Sequence, residues 1–147
     1  MSSFYSTRVH FIWSTARRAP TIHSEWQDRL HGYLHGILVN KKSHVFAIGG
    51  MADHVHLYAS LPATVSLAEL VNALKTNSSV WVHENALPSF AWQSGYAAVT
   101  MSKSADEQVC RYIKNQARHH HTRTFQEEFM AFLEKFEIPY DPRYVFD

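Results

Sequence analysis

Two histidines one residue apart, His54 and His56, are the residues whose type and spacing most directly promise chemistry. They open a run, residues 54–61, that reads as a strand. Successive strand side chains point to opposite faces. His54, His56, Tyr58 and Ser60 therefore share one face, and Val55, Leu57, Ala59 and Leu61 share the other. Two imidazoles side by side on a rigid, apolar-backed strand make a good pair of metal ligands. The plainer alternative is a polar, solvated sheet face, and so short a motif takes its meaning from its context. A second group stands about 55 residues on. Tyr112 and Gln116 are at i and i+4, on one face of a helical stretch, and His119 and His120 extend that face. Arg111, Lys114, Arg118 and Arg123 lie around them. The plainer alternative here is a core tyrosine with its hydroxyl at the rim, and a surface glutamine.

The elements that must position these groups are legible from periodicity. Residues 4–14 alternate as a half-buried strand, with Val9, Phe11 and Trp13 on one side and Arg8, His10 and Ile12 on the other. Residues 15–21, with Arg17, Arg18 and Pro20, read as a loop. Ser24 and Gln27 form a capping-box pattern before a helix whose apolar face carries Trp26, Leu30, Tyr33, Leu34, Ile37 and Leu38. A strand over residues 44–50, broken by Gly49-Gly50, leads into the histidine strand as a hairpin. Ser66 and Glu69 open a second amphipathic helix, and residues 85–94 read as a loop exposing Phe90 and Trp92. A fourth strand spans 96–102. Ser104 and Glu107 open the tyrosine helix, about 104–119, with Val109 and Ile113 as its packing stripe. Thr124 and Glu127 open a last helix, about 124–136, with a Phe125, Phe129, Phe132, Leu133 and Phe136 stripe.

The order β-α-β-β-α-β, followed by two helices, predicts an α+β, ferredoxin-like antiparallel sheet as one domain over 1–147. The first and third strands are then central. The first two helices cover the Val55 and Leu57 face, and the tyrosine helix is the candidate cover for the histidine face.

A chain of 147 residues, 46% hydrophobic and 14% aromatic, is enough for one real core and excludes a disordered chain. No apolar run approaches the roughly 20 residues of a membrane helix. A lone Cys110 excludes an internal disulfide and a cysteine-rich zinc site. Without a signal-peptide core at the N-terminus, the expected location is cytoplasmic. The net charge of +1 hides an asymmetry: residues 124–147 carry −4 and residues 1–123 carry +5. A basic body with an acidic tail suits a polyanionic partner.

The ordered set of stretches is distinctive. His10-Phe11-Ile12-Trp13-Ser14-Thr15, Met51-Ala52-Asp53-His54-Val55-His56-Leu57, Trp92-Gln93-Ser94-Gly95-Tyr96, Tyr112-Ile113-Lys114-Asn115-Gln116 and Glu137-Ile138-Pro139-Tyr140-Asp141 resemble the single-tyrosine HUH transposases of small insertion sequences. The likeness extends over nearly the whole chain and is closest to the REP-associated tyrosine transposases. It implies an HUH nuclease fold that cuts and rejoins single-stranded or hairpin DNA through a 5′-phosphotyrosine. By this resemblance Tyr112 is the nucleophile, His54 and His56 are metal ligands, and Gln116 is the third. The cofactor is Mg²⁺ or Mn²⁺, with Mn²⁺ the better match to nitrogen ligands. A homodimer is expected, with the tyrosine helix completing its own or its partner's site. Arg8, Arg17, Arg18, Lys103, Arg111, Lys114, Arg118 and His120 are the candidate DNA contacts, with Trp13, Trp92 and Tyr96 for base stacking. The competing readings are a hairpin-binding protein that rarely cuts, and a metal-dependent phosphodiesterase that uses water.

Overall fold

The chain is described by a computed structural model that covers residues 1–116 and 123–146. Arg118, His119 and His120 therefore lie outside the described residues. Four strands, β1 (Arg8–Ser14), β2 (Val45–Met51), β3 (His54–Ser60) and β4 (Ala97–Met101), form one antiparallel sheet in the order β2-β3-β1-β4. The α-helices among the described residues are α1 (Ser24–Asn40), α2 (Leu67–Asn85), α3 (Asp106–Lys114) and α4 (Phe125–Lys135). The predicted α+β order and the central first and third strands are both present. None of the described helices is long and apolar enough to cross a membrane.

One sheet face is closed by α1 and α2. Val9, Phe11 and Trp13 of β1 join Val55, Leu57 and Ala59 of β3 in a core with Leu30, Leu34, Leu38, Leu70 and Leu74. The alternation read from sequence sets these faces, because one strand residue in two points each way. The opposite face is covered twice. Val109 and Ile113 of α3 pack on Ala47 and Tyr58, while Phe125, Phe129 and Leu133 of α4 pack on Ile12 and Ala97. His54 and His56 lie on this face, and both are fully buried.

Several local expectations are corrected. The first strand begins at Arg8, with Phe4 and Tyr5 exposed. Gly49 and Gly50 do not end β2 but lie inside it, and the turn falls at Ala52 and Asp53. A Cβ on Gly49 would run into the Ile113 carbonyl, so glycine is what lets α3 sit close on the sheet. Ser24 does not cap α1, because His23 takes the extended cap conformation and Ser24 is already helical. Ser104 does not cap α3, because residues 103–105 form a 3₁₀ turn and its hydroxyl meets that of Ser102 at 2.7 Å. Ser66 does cap α2, and Thr124 with Glu127 makes a complete capping box on α4. Phe90, expected to be exposed, is 3% exposed, and Trp92 packs edge-on against it and Trp13 while donating to Ser78 Oγ at 2.9 Å.

Candidate metal and tyrosine site

The histidine pair sits in the seam between the two clusters that α3 and α4 make on the sheet. The hairpin turn is pinned by Thr15 N–H to Asp53 O and Ile22 N–H to Ala52 O, each 2.9 Å. Asp53 is thereby placed to accept from His54 Nδ1 at 2.7 Å. A neutral His54 that gives its Nδ1 proton to Asp53 presents a lone pair at Nε2. Gln116 Oε1 faces that Nε2 at 3.0 Å, and its amide nitrogen donates to Tyr112 O at 3.3 Å, which fixes the orientation of the amide. Gln116 is buried just beyond the end of α3.

Glu128 of α4 enters the same seam, 1% exposed. Its Oε1 is 3.0 Å from His56 Nε2 and 3.8 Å from His54 Nε2. Ligand atoms of His54, His56 and Glu128 lie within 4.8 Å of one another. A lone pair on His54, an amide oxygen and a carboxylate facing one another are the donors a divalent cation gathers. The residues therefore fit such an ion, and the mixed nitrogen and oxygen set suits Mn²⁺ better than Mg²⁺. Gln116 adds a neutral oxygen to the set.

Tyr112 faces this cluster within its own chain. Its ring centroid is 5.7 Å from that of His56, and Glu128 and Arg123 line the same cavity as Tyr112. Burial, with the Glu128 charge, holds the phenol above its ordinary pKa, and Arg123 opposes this. Burial would also raise the Glu128 carboxyl, but its hydrogen bond from His56, the charges of both histidines and the Tyr112 hydroxyl bring it down to about 2. Glu128 thus faces both histidines, with the phenol ring beside His56. A cavity of about 500 Å³ opens beside Tyr112, lined among others by Gln108, Arg123, Phe132 and Lys135.

The sequence reading brought His54, His56, Tyr112 and Gln116 together, and all four meet here. Glu128 and Asp53 join them without having been singled out by the sequence. Glu128 had one signal: a charge three residues after Phe125 and four before Phe132, on the apolar stripe. Of the candidate DNA contacts, Arg17, Lys103, Arg111 and Lys114 are exposed, and Arg111 pairs with Glu107 at 2.9 Å. Arg8 is held by Asp106 at 2.8 Å and Arg18 donates to Phe146 O at 2.9 Å. Trp13 is fully buried, which corrects its assignment to base stacking. Tyr96 is 38% exposed.

The family model "Transposase IS200 like" matches residues 3–116, from the first strand through Gln116. The ISDra2 transposase TnpA of Deinococcus radiodurans is 27% identical over 119 residues, covering 76% of this chain and 85% of that protein. The crystal structure of a candidate transposase from D. radiodurans R1 aligns with a TM-score of 0.64 at 27% identity, covering 79% of this chain and 95% of that one. A REP-associated tyrosine transposase bound to a REP hairpin has the same fold, with a TM-score of 0.61 at 14% identity over 82% of this chain and 74% of its own. With its model matched across the sheet, the histidine strand and the tyrosine helix, the chain belongs to the IS200-like transposase family.

Proposed function

We propose that this transposase cuts and rejoins single-stranded DNA, using Tyr112 as nucleophile beside a divalent cation held by His54, His56, Glu128 and Gln116. The observation that carries the reading is the convergence within one chain: Glu128 faces both histidines, and the Tyr112 ring stands 5.7 Å from that of His56. When bound, the cation supplies Lewis acidity to a phosphate oxygen and offsets the negative charge that keeps the phenol protonated.

Tyr112 Oη attacks the phosphorus. The Oη–P bond forms, the P–O3′ bond breaks, the phenol gives up its proton and the departing 3′ oxygen gains one. The products are a 5′-phosphotyrosine and a free 3′-OH. The phosphodiester energy is conserved, so a second 3′-OH reverses the step and is joined. Arg123 and Lys135 border the cavity beside Tyr112 and give the strand's phosphates cationic partners. The solved relative carries a hairpin, and by that likeness the substrate is a single strand folded into one. Because Tyr112 faces the histidines of its own chain, the homodimer expected from the family serves to bring two DNA ends together.

A labelled single-stranded hairpin incubated with Mn²⁺ should yield a denaturant-resistant protein–DNA adduct. Tyr112→Phe should abolish the adduct, and His56→Ala should reduce it by about 100-fold, the scale of losing a catalytic group. Metal-dependent cleavage that survives Tyr112→Phe would instead support hydrolysis by water. A wild type that binds the hairpin without cutting it would support a binding protein.

A further inference from the structure

His10 contributes nothing to the chemistry above, yet it is buried against it. The β1–β3 register pairs Ile12 with His56 and His10 with Tyr58, so His10 stands diagonally from His56 on the same sheet face. His10 is 3% exposed, and its Nε2 is 3.0 Å from His56 Nδ1. The two rings are tilted, 5.2 Å between centroids, and the edge of Phe132 closes on His10 at 5.4 Å.

Two imidazole nitrogens at this separation share one proton. Two protons between them would clash, and none would leave two lone pairs opposed. A cation at the cluster needs a lone pair on His56 Nε2, the nitrogen that faces Glu128. The neutral ring then carries its proton on Nδ1, and the atom that faces Nδ1 is His10 Nε2.

We propose that His10 is a positioning residue for the cation site: its Nε2 accepts the His56 Nδ1 proton and holds His56 with Nε2 turned to the metal. This rests on the reading of His54, His56 and Glu128 as a cation site. The two ligands are thus oriented by different partners. His54 gives its Nδ1 proton to the Asp53 carboxylate, at the half-buried hairpin turn. His56, deeper in the seam, gives its proton to a neutral imidazole, which adds no second buried negative charge beside Glu128. Partners of this kind fix the tautomer and ring orientation of a metal-bound histidine.

The test measures Mn²⁺ affinity, from the electron paramagnetic resonance signal of free Mn²⁺, in the full-length protein. His10→Phe should weaken binding by roughly 10- to 100-fold. His10→Gln, whose side-chain oxygen can accept the same proton, should stay within about threefold of wild type. Wild-type affinity in His10→Phe, or a loss in His10→Gln equal to that in His10→Phe, would overturn the assignment. A second measurement needs no variant. The ¹⁵N spectrum of histidine-labelled wild type loaded with Mg²⁺ should show His56 protonated at Nδ1, and a proton on Nε2 would refute the role. A wild type that takes up no Mn²⁺ would sink the cation site itself, and the His10 role with it.

Discussion

Glu128 is a single buried carboxylate that faces both histidines. It lies on an apolar helix stripe, an expensive place for a charge unless partners meet it. Its partners hold its pKa at about 2, below the ordinary glutamate value of 4.5. A carboxyl depressed in the folded state stabilises the fold fully above its unfolded pKa, and that contribution is lost as pH falls through the folded value. Glu128→Gln should therefore be less stable than wild type at pH 7 by roughly 3 kcal/mol, since each pH unit between the two pKa values corresponds to about 1.36 kcal/mol. The gap should close between pH 4.5 and pH 2. Urea unfolding across pH 2–7 checks this, and a gap independent of pH would contradict it. Sequence alone exposes His54, His56, Tyr112 and Gln116, because each pair is set by local strand or helix spacing. It does not expose Glu128, Asp53 or His10 as members of the site. Their roles depend on how α4 docks, where the hairpin turn falls, and the β1–β3 register.

At the scale of elements, the tyrosine helix is held near both of its ends. Asp106 at its start accepts from Tyr58 at 2.5 Å and from Arg8 at 2.8 Å. Near its other end, Ile113 sits over Gly49 with no room for a Cβ. Gly49→Val should cost about 1–3 kcal/mol through overpacking. It should also lower adduct formation, because lifting α3 carries Tyr112 away from His56. Gly36, on the open side of α1 with nothing within 4 Å of an added Cβ, is the control. Gly36→Ala should stabilise by about 0.5–1 kcal/mol and leave adduct formation unchanged. Thermal melts and the hairpin assay read both outcomes, and an active, stable Gly49→Val would contradict the close seating. The element order was readable from hydrophobic period alone. The ends were less so: Ser66 and Thr124 cap as their patterns predict, while Ser24 and Ser104 carry the same pattern without capping. A capping pattern gives a hydroxyl the option of a backbone N–H, and the local backbone decides whether it is taken.

At the scale of the whole molecule, α4 and the acidic tail are the last layer over the histidine face. Arg18 reaches across to Phe146, donating to its carbonyl and standing 4.9 Å from its ring centroid. The segment carrying −4 thus folds back on a body carrying +5. The exposed Arg17, Lys103, Arg111 and Lys114 remain available to phosphates. Hairpin affinity should fall linearly with salt on a log–log plot, with a slope of about −0.7 for each single-strand phosphate neutralised. A slope near zero in a fluorescence-anisotropy titration would count against a phosphate-tracking surface. The proposed reaction depends on a covalent bond between Tyr112 and DNA. Wild-type protein should be reacted with a single-stranded hairpin and Mn²⁺, digested with nuclease and trypsin, and mapped by mass spectrometry. A nucleotide 5′-phosphate is expected on the peptide that contains Tyr112 and nowhere else. Cleaved DNA with that peptide unmodified, or a nucleotide on any other residue, would contradict the claim.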